Sequence, residues 1–363
     1  MSANTKIEWA DDTWNPVTGC TKLSPASPGC QNCYASTFAE RFRGTPGHYF
    51  EHGFDVQLRP DKLDLPLRWR RPRRIFVNSM SDLFHDDVPD EYIAQVWAVM
   101  ALAPRHTFQV LTKRHGRMHS LLTAKRLAPG LDFEAMVRNV AHNLRNNAKR
   151  ADWTLADDLP WPLPNVWLGV STENQQWADI RIPALLDTPA AVRWISAEPL
   201  LGPIGLHPYW THGQPRWGEP EPEPTPNGGS LMMRPLELAP RLDWVVVGGE
   251  SGHRARPMHP DWARSLRDQC TDAGVPFLFK QWGEWSPYYY GPELRRVDQL
   301  VMADDGGEYR AGDLDWPDGP RRGEAQLADF PHHRPTFLYR VGKKAAGRQL
   351  DGRTWDQYPE AVS

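Results

Sequence analysis

Three of the four cysteines in this 363-residue chain fall between residues 20 and 33, as Cys20, Cys30 and Cys33 in the spacing C-x9-C-x2-C. Four cysteines are too few for a disulfide scaffold of this length, and a tight group of thiolates in a reducing compartment more often holds metal. Three thiolates can ligate three irons of a 4Fe-4S cluster and leave the fourth iron open to a small molecule. A structural zinc site normally takes four protein ligands. His48 or His52 could complete a Cys3His set, although no second C-x2-C or H-x3-H half follows. The spacing alone therefore leaves two chemistries open, an iron-sulfur centre with a free coordination position or a closed zinc site. The fourth cysteine has a different reading: Cys270 shares an apolar helical face with Trp262 and Leu266, where a free cysteine packs as a small hydrophobe.

An open metal position needs a pocket, and the elements that would build it are legible. Apolar, β-branched runs cover residues 74–80, 107–113, 165–172, 192–200, 242–250 and 276–283. Each is continuous enough for a strand buried on both faces, and helical stretches lie between them, so the pattern predicts an α/β chain with a parallel sheet of about six strands. One intervening helix carries Ile93, Val96, Trp97 and Met100 on one face. Loops after the strands of such a fold converge at their C-terminal ends, and polar residues recur there: Asn78, Ser79, Ser81 and Asp82, then Thr112 and Lys113, Ser171 and Glu173, Glu198, and lastly Glu250 and Ser251. A ring of such groups suits a polar small molecule that needs fixed donors and acceptors in a mostly apolar pocket. Glu198 and Glu250, each after a long apolar run, are the leading candidates for hydroxyl or ammonium contacts, and Asp82 is next.

The charge balance, 42 Lys+Arg against 45 Asp+Glu, gives no global pull toward nucleic acid or an anionic membrane. Local basic stretches remain: "WRRPRR" at 69–74 interleaves Trp69 with arginines, Lys113 and Arg114 could hold a phosphate or carboxylate, and residues 133–150 predict a helix bearing Arg138, Arg145, Lys149 and Arg150. Charge beside aromatic rings is what single-stranded nucleic acid requires. No apolar run is long enough to span a bilayer, and the first residues lack the order of a secretory signal, so the expectation is a soluble cytoplasmic chain without a membrane partner. Two insertions interrupt the βα rhythm, at 124–164 and at 207–236. The second contains "GEPEPEPTPNGG" and reads as an extended loop. Residues 286–363 read as an extension packing on a core formed by 1–285.

"GCTKLSPASPGCQNCYA" resembles the cluster loop of radical S-adenosylmethionine enzymes, particularly the branch similar to spore photoproduct lyase, in which Tyr-Ala and a helix follow the last cysteine. "IEWADDTWNPVTGC", "VNSMSDLFHDDVP", "FQVLTKR", "WISAEPLLGPI" and "WVVVGGESG" together resemble a phage-associated three-cysteine-motif family, over about residues 6–285. The first gap is six residues longer than in the common C-x3-C-x2-C loop, and Asn32 stands where an aromatic residue is common. The resemblance implies a partial (β/α) barrel. It also implies a 4Fe-4S cluster on Cys20, Cys30 and Cys33, S-adenosylmethionine bound by the pocket residues, an external electron donor, and radical chemistry on a substrate that could be a nucleic acid base. The alternative is a zinc-stabilised nucleic-acid-binding protein without catalysis.

Overall fold

The tryptophans and β-branched residues of the apolar runs set the architecture. The computed structural model describes residues 5, 7–23, 27–124, 132–147, 159–209, 241–288, 297–309 and 335–360. Strands β1 (Asp12–Trp14), β4 (Arg74–Val77), β5 (Thr107–Thr112), β6 (Val166–Ser171), β7 (Val192–Ala197), β8 (Trp244–Gly248) and β9 (Phe277–Gln281) form one curled, all-parallel sheet in that order, a half-barrel flanked by helices. All six expected strands are present, shortened by a few residues at their polar ends. The seventh, β1, was not expected. Its three residues include Asp12, a carboxylate that is buried because Arg73, just ahead of β4, pairs with it.

Between β1 and β4 the chain leaves the sheet and returns. The short antiparallel pair β2 (Val17–Thr18) and β3 (Gln57–Leu58) closes the neck of this excursion, which carries the three cysteines and helix α1 (Tyr34–Glu40). Residues 24–26, inside the long first gap, lie outside the described residues.

Alternation along the strands separates two cores. Ile75, Val77, Val110, Val170, Ile195 and Phe279 face outward into the larger core, against helices that include α2 (Leu65–Arg68), α3 (Asp90–Ala101), α4 (His115–Thr123), α6 (Gln175–Leu186) and α7 (Pro260–Ala273). Cys270 on α7 belongs to this core, fully buried as expected, and burial pushes its thiol pKa up. Sequence signals bound α7 closely: Pro260 opens it and Gly274, with φ of 64°, ends it in the left-handed conformation that favours glycine.

The inner face carries Phe76, Trp167, Trp194 and Trp244, and Trp9 inserts among them, 4.6 Å from Phe76 and 5.2 Å from Trp194 between ring centroids. These rings floor the half-barrel. Gly169 makes the layer possible, since a Cβ there would lie 2.4 Å from the Trp194 ring.

The chain after β9 forms a small antiparallel sheet of β10 (Trp285–Ser286), β11 (Gln299–Met302), β12 (Glu308–Tyr309) and β13 (Thr336–Arg340). It then runs along the open edge of β9: Phe279 N–H donates to the Trp355 carbonyl, and Gln357 accepts from Phe277. An edge that would otherwise offer unpaired donors and acceptors is thereby covered. Among the described residues no helix is long and apolar enough to cross a membrane. Of the first insertion, α5 (Phe133–Asn147) is a helix as expected, whereas Lys149, Arg150 and most of the second insertion lie outside the described residues.

Candidate cofactor site at the mouth of the half-barrel

The cysteine excursion is tied to the C-terminal ends of the strands by backbone. Gly19 N–H donates to the Met80 carbonyl and Cys20 N–H to the Phe54 carbonyl. Gly19, at φ of 85°, admits no side chain, because a Cβ would stand 2.0 Å from the Asp55 carbonyl oxygen. These ties bring Cys20, Cys30 and Cys33 to one cavity of about 200 Å³, together with Asn78, Ser79, Asp82, Lys113 and Ser171. It adjoins a second cavity of about 880 Å³, and Gly29, Cys33, Tyr34, Ser79, Lys113 and Ser171 line both. The larger space lies inside the barrel: the strand residues lining it include Phe76, Leu111, Ser171, Ser196 and Lys280, all of inward parity.

Two arginine–glutamate pairs grip the cysteine loop. Arg256 meets the Glu250 carboxylate at 2.6 and 2.8 Å and also donates to the Pro28 carbonyl at 2.9 Å and to Gln31 Oε1 at 3.1 Å. Asn32 Nδ2 adds a bond of 3.1 Å to Glu250. Arg181 and Glu173, both fully buried, pair at 2.8 Å, and Arg181 donates on to Ser27 Oγ and to the Ser171 carbonyl. Gly29 sits so close to Glu173 that a Cβ would fall 2.2 Å from Oε1. The shape of residues 27–32 is thus held by side-chain charge as well as by backbone.

Every pocket residue expected from the sequence lines one of the two cavities except Glu173, which lies just behind Gly29. Their engagements differ. Asp82 accepts from Thr112 Oγ1, Phe84 N–H and Lys113 N–H, and so ties the end of β4 to the end of β5. Lys113 donates to Ser171 and lies 3.6 Å from Glu173. Glu198 pairs with Lys280 at 2.5 Å on the cavity wall. Glu250, expected to meet a cofactor, is already occupied with Arg256. Asn78 is the opposite case: 3% exposed, at φ of 62°, its amide has no hydrogen-bond partner on either atom. A buried amide left so costs stability unless something else completes it. Sequence reasoning missed Arg181, Arg256 and Lys280, which carry no local signal.

The donor set bears on what the thiols could hold. Among the described residues no three His, Cys, Asp or Glu groups close on one point as ligands of a single ion; the thiols stand around a cavity instead. His48 stacks on Phe42 at 3.9 Å, its Nδ1 accepting from Phe50 N–H, and it lines the larger cavity rather than the thiol cavity. His52 is exposed. Three thiols around a small cavity that the Asp82 carboxylate and the unpartnered Asn78 amide also line are donors of the kind a multinuclear group with one open position takes. Burial, with the Asp82 carboxylate adding, pushes the Cys20 thiol up to about 12. A cation bound by Cys20 must therefore displace a proton.

Of the three basic stretches, Lys113 and Arg114 are at the site, Lys113 lining both cavities and Arg114 paired with Asp86, and the other two lie elsewhere. "WRRPRR" leads into β4 at the N-terminal end of the sheet, where Arg74 pairs with Asp11 and stacks on Tyr358 and Arg73 is engaged with Asp12. Arg138 pairs with Glu134 on its own helix.

Residues 4–359 match the family described as "Protein of unknown function (DUF5131)". The chain belongs to this family. The match spans the cysteine excursion, the half-barrel and the C-terminal strands alike, so the DUF5131 assignment covers the whole site. No curated protein and no solved structure matches.

Proposed function

We propose that this protein is an iron-sulfur enzyme of the radical S-adenosylmethionine type, with Cys20, Cys30 and Cys33 holding a 4Fe-4S cluster. The observation that carries the reading is the convergence of the three thiols on one cavity, at the C-terminal mouth of a half-barrel and adjoining a larger interior cavity. The family resemblance of the loop points the same way.

When bound, the cluster and S-adenosylmethionine supply an electron and a cleavable sulfonium, and hence a radical that removes hydrogen from a substrate; the electron comes from an external donor. The chain's own share is binding, orientation and exclusion of water. The two arginine–glutamate pairs hold the loop that presents Cys30 and Cys33. Asn78 offers a donor and an acceptor into the thiol cavity, Ser79, Lys113 and Ser171 stand where the two cavities meet, and Glu198 with Lys280 sets a paired charge on the wall beyond. The tryptophan floor closes the far end to water.

Anaerobic reconstitution with iron and sulfide tests the reading. The expected product is brown, contains close to four irons and four sulfides per chain, and changes its visible or paramagnetic spectrum when S-adenosylmethionine is added. A colourless protein that retains zinc and takes up no sulfide would overturn it.

A further inference from the structure

Four large apolar side chains are exposed among the described residues: Tyr34, Phe38, Leu58 and Ile180. Isolated cases carry no message, and Leu58 and Ile180 line neither cavity. Tyr34 and Phe38 are different. They stand four residues apart on α1, so they share a face, and both line the larger cavity beside Cys33.

Both rings are also held in place. The Tyr34 hydroxyl donates to the Ser79 carbonyl at 2.6 Å, which fixes the ring while 60% of the residue stays open. Phe38, 44% exposed, makes T-shaped ring contacts with Phe42 at 5.3 Å and Phe50 at 5.7 Å. A flexible apolar side chain on a rim would merely spread over whatever lay near it. Two exposed rings already held in place offer aromatic surface whose ordering cost is largely met, which favours an aromatic partner. The cavity below them, about 880 Å³, lies in the upper part of the range for small-molecule sites.

We propose that this cavity takes a planar aromatic or heteroaromatic ring as its substrate, stacked on Tyr34 and Phe38, in addition to S-adenosylmethionine. The proposal names the substrate class for the site described above, and it rests on that reading for the ring's place next to the thiols.

Calorimetric titration with adenosine, thymidine and tryptophan, and with leucine and cyclohexanecarboxylate as aliphatic controls, tests it on metal-free and on iron-loaded protein. At least one ring probe is expected to bind in the presence of saturating S-adenosylmethionine, about ten-fold or more tighter than either control. Phe38→Leu, which keeps apolar area and removes the ring, should weaken that probe by about ten-fold, and Phe38→Trp should retain it, with melting temperatures of both variants confirming the fold. Equal affinity for ring and aliphatic probes, or unchanged affinity in Phe38→Leu, would overturn the proposal. Displacement of the ring probe by S-adenosylmethionine would also overturn it, by assigning the stacking face to the cofactor's own adenine. A chain that takes up no iron overturns the cofactor reading, whereas the ring affinity of the metal-free protein still decides this one.

Discussion

Glu250 shows how a residue's role depends on its neighbours. It follows a long apolar run and lines the large cavity, yet its carboxylate is saturated by Arg256 and Asn32. Arg256→Gln removes the guanidinium bridge to Pro28 and leaves a mostly buried carboxylate short of partners, at a cost of roughly 1–3 kcal/mol. The expected signature is local, faster hydrogen exchange at the amides of residues 28–33 with exchange in the strands unchanged. The cysteines divide in the same way. On the proposed cluster assignment, Cys20→Ala, Cys30→Ala and Cys33→Ala should each abolish full iron and sulfide loading, because each would remove one of three ligands. Cys270→Ser should retain both and lose about 1–3 kcal/mol, since the hydroxyl replaces a packed thiol in the outer core. Iron analysis and thermal melts on the four variants check both statements.

At the scale of elements, two glycines mark contacts that a methyl group cannot share. Gly169 in β6 lies under Trp194, and Gly169→Ala forces the inner tryptophan layer to shift, a loss of about 1–3 kcal/mol by analogy with other overpacked cores. Its effect should be read as a lower melting temperature with iron loading retained in the folded fraction. Gly29 lies under Glu173 in the loop itself. Glu173 is fully buried and held by Arg181, so it has little room to yield. Gly29→Ala should therefore push the loop away from its grip, reducing iron loading while the melting temperature changes little. Reversed outcomes for the two variants would mean that loop and barrel are not separable in this way.

The whole molecule carries a pH dependence written by its histidines. His85, His106 and His115 each have a pKa below the ordinary value, chiefly because burial disfavours the imidazolium. His106 illustrates the cause: Nε2 donates to the Pro66 carbonyl, and Nδ1 is buried without a partner for a second proton. In the unfolded chain these groups titrate near about 6.5, so below that pH the unfolded state binds more protons than the folded one. Their contribution is complete above about pH 6.5 and is lost as the pH falls toward the lower folded values. Melting temperature should drop between pH 7.5 and pH 5.5, and His106→Gln should flatten part of that slope. A melting temperature that rises on acidification would contradict the assignment.

Much of this architecture was legible in the residues before any coordinates. Continuous apolar runs located six of the seven parallel strands, and the C-x9-C-x2-C spacing singled out the three thiols, because backbone period and ligand type are local properties. The seventh strand was not legible, since its three residues include an aspartate that is buried only when Arg73 arrives from sixty-one residues away. The grip on the cysteine loop was hidden for the same reason: Arg181 reaches Ser27 across 154 residues and Arg256 reaches Pro28 across 228. Nor could the basic run at 69–74 be assigned to one end of the barrel, although it lies opposite the thiols. Which ionic groups meet is decided by which strand ends the curled sheet brings together, and a charge's partner, unlike a strand's period, leaves no mark in its own neighbourhood of the chain.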